Sequence, residues 1–437
     1  MKKIIVIGAG IAGLQAAKVL AEKGNDVTVY ERSKQGKVSY NWRDDVEYTV
    51  FDELNLPIPS DSIRTQNVAF LAPYSDKPLF VYQEESKMEW GVERHTFADM
   101  LANRAIDAGA KVVYETAVES LIISDEVVKG VVVNGEEIFA DLVIDCSGMD
   151  SKFRASLPAS MGITATPKDD EAFTVYRAIF DKKPGVPDPD QKNKRLIHLK
   201  PEGMLGISWC VVEPDDSVNV LVGKIGGLTD KDVEENLKLL REQHPIIGDN
   251  VTRGGIYARI PIRYPLLKMV GDGYVAIGDA AFMTIPLIGS GIACGLRAGQ
   301  MLGEEINAQD STDISVLWKY QVRYYQNVAK EHFLIDCMKR KVLVADCYDV
   351  KYVIESGFIT EDDIKALTGG EGFKITGKEL CKKLRLAMKK LPFILSVVGA
   401  LLKGVGAMGK ASKIPTEYDE KKIDKWVKKV EKVFAKK

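Results

Sequence analysis

Histidine is scarce in this 437-residue chain, with His95, His198, His244 and His332 the only four, and no two of them stand at metal-ligand spacing. A protein-built zinc or other metal centre is therefore not expected. The six cysteines, Cys146, Cys210, Cys294, Cys337, Cys347 and Cys381, include no C-x-x-C pair. That excludes a cysteine-rich iron–sulfur module and a disulfide framework. The apolar N-terminal run IIVIGAGIAG lacks the flank of a signal-peptide cleavage site, so a reducing cytoplasm is the expected compartment. No internal repeat and no low-complexity tract occurs. A composition 46% hydrophobic and 28% charged suits a folded chain of two or three domains.

The net charge of −2 conceals an asymmetry, because residues 371–437 hold 18 Lys and Arg against 7 Asp and Glu. This basic end also contains LPFILSVVGALLKGVGAMG, residues 391–409. Lys403 and the glycines and proline within it argue against a membrane-spanning helix. Two readings stay open: a buried helical hairpin with a solvated basic face, or docking of an apolar patch and its basic flanks on an anionic membrane surface. No nucleic-acid partner is expected.

KKIIVIGAGIAGLQAAKVLAEKGNDVTVYER reads as strand, tight turn, helix and strand. Residues 33–93 are irregular, and periodicity returns in TFADMLANRAIDAGAKVVYE as a helix and a strand. Between 172 and 226 the pattern changes to alternating strands separated by Pro, Asp and Gly turns, the mark of an antiparallel sheet in a second domain. TDKDVEENLKLLREQH predicts one amphipathic helix. From about residue 312 the chain is helical, ending in EKKIDKWVKKVEKVF with Ile423, Trp426, Val427, Val430, Val433 and Phe434 on one face.

The chemistry begins at Gly8-Ala9-Gly10-Ile11-Ala12-Gly13. Gly8 permits the turn, Gly10 lets backbone approach a pyrophosphate, and Gly13 allows close packing of helix on strand, with the helix N-terminus at Ile11 and Ala12 facing the anion. Glu31, followed by Arg32, stands at the end of the second strand, placed to bind a ribose hydroxyl. A second element of the same kind lies far downstream in GYVAIGDAAFMTIPLIGSGIACGLRAG, residues 273–299. An NAD dehydrogenase has no role for it, whereas FAD is longer. Gly278-Asp279 can accept from a ribitol hydroxyl, and the helix that opens after Pro286, at Gly289, Ser290, Gly291 and Ile292, can turn its N–H groups toward the flavin. FAD is the expected cofactor.

Four stretches, GAGIAG…ER, ERHTFADMLANRAIDAGA, ADLVIDCSGMDSKFR and GYVAIGDAAFMTIPLIGSGIACGLRAG, are similar in order and spacing to the glutathione-reductase-type FAD proteins that include aromatic hydroxylases and geranylgeranyl reductases. The resemblance covers roughly residues 1–310. It implies that Arg94 approaches the cofactor, that Ala117 and Val118 contact the adenine, and that Gly148 belongs to a third cofactor motif. Hydroxylases carry Asp-Gly in that motif, where this chain has Ser147-Gly148, and the helical extension looks more like geranylgeranyl reductases. Those enzymes have an aromatic-x-Trp-x-aromatic pattern, here Ile207, Trp209 and Val211, and a Pro-Cys-Gly motif beside the flavin, where this chain has VSYNWRDDV. Trp42 and Arg43 fall near that place. Arg43 is read either as steering a proton or anion toward the flavin or as a salt bridge to Asp44 or Asp45. Trp209, Ile207 and Val211 share one face of a predicted strand, lining a tunnel or facing the core. Cys294 is read as a packed residue.

The expected fold is α/β, with a Rossmann-like doubly wound FAD domain assembled from 1–40, 94–158 and 255–310. An antiparallel substrate domain is expected from 41–93 and 159–254, and a helical region from 311–437. The resemblance implies an FAD-dependent oxidoreductase that reduces C=C bonds of a large apolar isoprenoid-like molecule, with NAD(P)H or ferredoxin as electron donor and a membrane surface as a further partner. The alternatives are an FAD monooxygenase and a membrane-docking flavoprotein dehydrogenase that passes electrons to quinone.

Overall fold

The computed structural model describes residues 1–65, 67–188, 194–368 and 377–435. Its centre is a sheet whose order runs Val270–Gly271, Tyr274–Ala276, Leu142–Asp145, Lys3–Ile7, Asp26–Tyr30, Lys111–Val113. All pairings are parallel except the edge pair of Val270–Gly271 with Tyr274–Ala276. Strands covered on both faces must be apolar throughout, which is why Ile4, Ile5, Val6, Leu142, Val143 and Ile144 carry no polar side chain and are all buried. A small antiparallel sheet of Val118–Ser124, Val127–Val133 and Glu136–Phe139 lies between two of these parallel strands in sequence.

The second large sheet has seven strands in the order Ile247–Pro261, Ala172–Lys182, Val218–Ile225, Gly206–Val212, Lys194–Leu199, Asn67–Leu71, Leu79–Val81. Its strands match the alternating segments of the sequence. The irregular region before residue 93 contributes its last two, with Asn67–Leu71 parallel to Lys194–Leu199. The sheet runs to Pro261, past the boundary at 254 read from sequence, because strand Ile247–Pro261 keeps pairing with Ala172–Lys182 beyond the Gly254-Gly255 irregularity. Helix Asp230–Gln243 follows the amphipathic prediction and starts at Thr229, whose hydroxyl accepts from Asp232 N in a capping box.

Near the C-terminus, helix Glu420–Phe434 buries Ile423, Trp426 and Val430 as its spacing predicts. Trp426 meets Tyr325 edge-on at 5.5 Å, and Phe434 lies 4.4 Å from Tyr264, so the last helix returns to the first core. The expectation of a buried hairpin at 391–409 is overturned. Leu391–Ala411 is one helix that buries only Ile394, Gly404, Ala407 and Ala411. Its small-residue side packs on helix Lys330–Leu343, Ile394 and Phe393 near its start pack among Val353, Leu79 and Leu199, and Trp426 of the last helix donates to Lys410 O, while much of its aliphatic surface stays exposed. Among the described residues one helical run, Lys382–Ala411, is long and apolar enough by length and composition to cross a membrane.

Candidate functional site

The first turn forms as its glycines require. Gly8 has φ +89°, and a Cβ there would lie 3.0 Å from the Cys146 carbonyl oxygen. A Cβ on Gly13 would fall 2.8 Å from Cys146 Sγ and 2.9 Å from Val6 Cγ1, so helix Ile11–Ala21 can approach the sheet only with glycine there. Gly10 is the N-cap of that helix and no side chain caps it, which leaves N–H groups of the first turn, including those of Ile11 and Ala12, for an anionic ligand.

Glu31 is buried and accepts hydrogen bonds from Ala9 N and Ser33 N, each at 2.8 Å. The carboxylate thereby fixes the glycine turn from below. Arg32 is exposed beside it. Thr116 N donates to the Glu31 carbonyl at 2.8 Å, which brings exposed Ala117 and buried Val118 alongside the end of the second strand.

The downstream element meets the first in space. Gly278 has φ +64°, and Asp279 opens the short turn Gly278–Ala281 at the end of strand Tyr274–Ala276. The Asp279 carboxylate is open to the cleft, yet the surrounding protein desolvates it and pushes its carboxyl up from the usual range, with Arg94 acting in the opposite direction. Pro286 is buried, Gly289 has φ +69°, and Ile285 N donates to Ser290 O at 2.8 Å. This tight loop delivers Gly291 as the uncapped N-cap of helix Ile292–Gln309. A Cβ on Gly291 would fill the space 3.4 Å from Asp279 Oδ1.

Sequence reasoning missed how the two helices are fastened. Gly295, Gly299 and Gly303 recur every four residues along Ile292–Gln309 and face helix Ile11–Ala21, where Cβ atoms would lie 3.3 Å from Ala12 Cβ, 2.3 Å from Ala12 O and 2.6 Å from Val19 Cγ1. The signal was their four-residue spacing, with Gly295 and Gly299 inside the downstream motif of residues 273–299 and Gly303 just beyond it. Arg154, within the quoted SKFR, was also passed over. Its buried guanidinium donates to Met149 O, Ala165 O and Ala280 O, and so ties the Gly148 turn to the Asp279 turn. Gly148 itself has φ +97° and no atom within 4 Å of a Cβ. Ser147 Oγ donates to Asp145 Oδ1 at 2.6 Å, while Tyr274 and Ser151 hydroxyls donate to Oδ2, so this serine is committed to a buried carboxylate.

These features fit FAD. The uncapped N-termini of helices Ile11–Ala21 and Ile292–Gln309 lie side by side, with Gly278 and Gly295 both against Ala12, the exposed Asp279 carboxylate stands next to Gly291, and glycines occupy positions where a side chain would collide with its neighbours.

On the other side of the cleft, Asp44 connects the cofactor end to the second sheet. It accepts from Arg177 Nη1 at 2.5 Å and Trp42 Nε1 at 3.3 Å, and pairs with Arg94 Nη1 at 3.6 Å. Arg94 also donates from Nε to Ser39 Oγ at 3.0 Å. Trp42 is buried and stacks on Tyr40 at 4.5 Å and 5°. Arg177 lies over both Trp42 and Trp209, at 5.4 and 5.6 Å. Around them Tyr40, Phe173, Ile207 and Ile260 complete one apolar cluster on the face of the seven-stranded sheet. Ile207 and Trp209 are half-buried there, and the Trp209 indole N–H has no acceptor. Val211 is buried opposite Asn219 and is not part of this cluster.

Arg43 is not bridged to Asp44 or Asp45. Strand alternation turns it away from Asp44, and it pairs with Glu93 at 3.1 Å and Glu213 at 3.4 Å, while Asp45 is taken by Arg195. Cys294 is buried, and desolvation pushes its thiol up to about 12, which agrees with a packed and unreactive residue. No cluster of three metal-ligating side chains occurs among the described residues.

A family model described as FAD dependent oxidoreductase matches residues 72–294, half of the chain, and one described as NAD(P)-binding Rossmann-like domain matches residues 6–53. Similar proteins include the digeranylgeranylglycerophospholipid reductase of Sulfolobus acidocaldarius, 24% identical over 83% of this chain and 82% of that one. Digeranylgeranylglycerophospholipid reductase 1 of Methanopyrus kandleri is 28% identical over 80% and 92%. The resemblance to geranylgeranyl reductases read from the motifs is therefore borne out along most of the chain. Among solved structures, a geranylgeranyl bacteriochlorophyll reductase-like protein from Thermoplasma acidophilum superposes with a TM-score of 0.72 at 17% identity, covering 91% of this chain and 99% of that one. A flavin-dependent brominase reaches 0.62 at 18% identity over 90% and 99%. Both show a shared fold. This chain belongs to the FAD-dependent oxidoreductase family, and FAD is its cofactor.

Proposed function

We propose that the protein reduces C=C bonds of a large apolar lipid of the geranylgeranyl type. The observation that carries this reading is the apolar patch of half-buried Tyr40, Ile207 and Trp209 backed by buried Trp42, whose indole shares Asp44 with Arg94. A wall of aromatic and aliphatic side chains gives a polyprenyl chain dispersion contacts and excludes water. The names of the relatives support the same substrate class.

When bound, FAD in its reduced form supplies hydride equivalents to one alkene carbon. The residues of this chain hold and tune it. Glu31 accepts from the adenosine ribose, with Arg32, Ala117 and Val118 bordering the adenine. The N–H groups behind Gly10 take the pyrophosphate, with Gly8, Gly13 and Gly148 giving the backbone its approach. Gly278 and Asp279 receive the ribityl hydroxyls, and Pro286, Gly289 and Ser290 set the loop that aims the N–H groups of Gly291 and Ile292 at negative charge on the ring. Arg94 balances Asp279 and Asp44. Trp42 walls the substrate space, while Arg43, held by Glu93 and Glu213, positions its strand and acts at a distance. The proton for the second alkene carbon comes from solvent or a neighbouring side chain. NAD(P)H or ferredoxin serves as electron donor, and the lipid is met at a membrane surface.

The test is anaerobic reduction of the holoprotein by dithionite, followed by stopped-flow mixing with geranylgeranyl lipids, quinone or air. Fast flavin reoxidation by the lipid, with a mass gain of two hydrogens per bond, is expected. Reoxidation by oxygen or quinone alone would refute the reading in favour of a monooxygenase or a quinone-linked dehydrogenase.

A further inference from the structure

We infer that the exposed face of helix Leu391–Ala411, together with the basic segment before it, docks this protein on the surface of an anionic lipid bilayer with the helix lying in the membrane plane. Leu391, Leu395, Val398, Leu402 and Val405 follow one another in steps of four, three, four and three residues, which places them on one face. They are 48, 59, 44, 68 and 48% exposed. Leu384 and Met388 extend the apolar surface toward the N-terminus at 58 and 76%. A monomeric soluble protein rarely leaves so many large aliphatic side chains together in water.

The orientation follows from the other side of the helix. Gly404 packs so tightly on helix Lys330–Leu343 that a Cβ there would lie 2.6 Å from Leu334 Cδ1, and Ala407 and Ala411 are fully buried. Toward its start, Ile394 and Phe393 pack among Val353, Leu79 and Leu199. The helix is thus fastened to the body of the protein at both ends of its length. It cannot cross a bilayer and still keep those contacts, but it can lie on one.

Charge selects the occupant. Between Leu380 and Thr416 the sequence has eight Lys and Arg and no Asp or Glu. Lys382, Arg385, Lys389, Lys403 and Lys410 are exposed, while Lys383 and Lys390 pair with Asp363 and Asp349. A second copy of this chain would bring these cations against their own equivalents, whereas anionic headgroups would pair with them.

The same helix gives an apolar chain a way in. Leu199, under Phe393, pairs in register with Ile207, and side chains directly opposite on neighbouring strands share a face. Ile207 belongs to the Trp42–Trp209 cluster. One sheet face therefore leads from beneath the docking helix to the cofactor cleft. This path rests on the lipid-reductase reading, while the docking itself does not.

The experiment is flotation of the FAD-loaded protein with vesicles of phosphatidylcholine alone or mixed with phosphatidylglycerol, at low and high salt. The wild type floats with the anionic vesicles, less so at high salt. Leu395→Glu/Leu402→Glu, at two exposed positions, weakens this about tenfold or more. Arg385→Glu/Lys389→Glu removes the preference for anionic vesicles. Both variants keep their flavin and their turnover of detergent-dispersed lipid. A wild type that stays unbound, a leucine variant that floats equally well, or a solution dimer that the leucine variant splits would each overturn the proposal. A wild type that floats with the anionic vesicles but turns over no geranylgeranyl lipid would instead refute the substrate reading and leave docking standing.

Discussion

Gly299 lies so close over Ala12 that a single methyl group on it would fall 2.3 Å from the Ala12 carbonyl oxygen. That contact joins helix Ile11–Ala21 to helix Ile292–Gln309, the two helices proposed to face the pyrophosphate and the flavin. Gly299→Ala should force the two apart, with a stability loss of about 3 kcal/mol by overpacking and poor flavin retention after gel filtration. Gly406→Ala is the control, since no atom lies within 4 Å of its Cβ. Relief of glycine's backbone entropy should make it neutral or more stable by about 1 kcal/mol in urea titration.

Asp279 is exposed, and among the described residues no side-chain or backbone donor is hydrogen-bonded to its carboxylate. Asp279→Ala should weaken FAD binding roughly 10- to 100-fold, the usual size of a charged hydrogen bond, as read by fluorescence on release of flavin. Asp279→Asn, which keeps an acceptor, should lose less. Equal affinity in all three proteins would remove Asp279 from the cofactor site.

Arg154 sends its guanidinium to three backbone carbonyls from a fully buried position. Arg154→Met leaves these acceptors without donors, at an expected cost of about 3 kcal/mol or more. Because two of the carbonyls belong to the Gly148 and Asp279 turns, flavin content should fall along with the thermal midpoint.

Trp209 belongs to the apolar cluster proposed as the substrate wall, which includes none of the residues of the Gly8 and Asp279 turns. Trp209→Ala should raise KM for a geranylgeranyl lipid about tenfold or more, in keeping with loss of a large apolar contact, while flavin content stays at the wild-type level. A fall in bound flavin with KM unchanged would contradict that placement.

His198 and His244 bring their Nε2 atoms within 3.1 Å in a buried contact between the second sheet and the residue after helix Asp230–Gln243. Burial and the second imidazole lower His198 from 6.5 to about 4. Between those values the unfolded chain binds a proton that the folded chain refuses. Stability from this site is therefore fully present above about pH 6.5 and is lost as pH falls toward 4. Wild type should lose on the order of 2 kcal/mol more than His198→Gln between pH 7 and 4.5 in urea titrations.

The cofactor half of the site was legible because backbone geometry restricts residue choice there. Gly8, Gly13, Gly278 and Gly291 each stand where a side chain would collide or strain the chain, and an acid ends each relevant strand. The substrate half was less legible, since Arg43, Asp44, Asp45, Arg177 and Arg195 could pair in several ways. Strand alternation and partners distant in sequence decide the outcome: Asp44 chose Arg177, and Arg43 chose Glu93 and Glu213. The segment at 391–409 was left between a buried hairpin and a surface-docking patch because apolar composition states what water disfavours and not what will cover it.

The order of strands in the first sheet also sets a timetable for synthesis. Lys3–Ile7 leaves the ribosome early, but its neighbour Leu142–Asp145 comes much later, and Tyr274–Ala276 and the helix clasped to Ile11–Ala21 emerge later still. Until residue 309 has appeared, the nascent chain holds a half-built core with a bare strand edge. The local βαβ pairing of Lys3–Ile7 with Asp26–Tyr30 can form early, but completing the sheet needs contacts of very long sequence separation, so slow folding is expected from the topology.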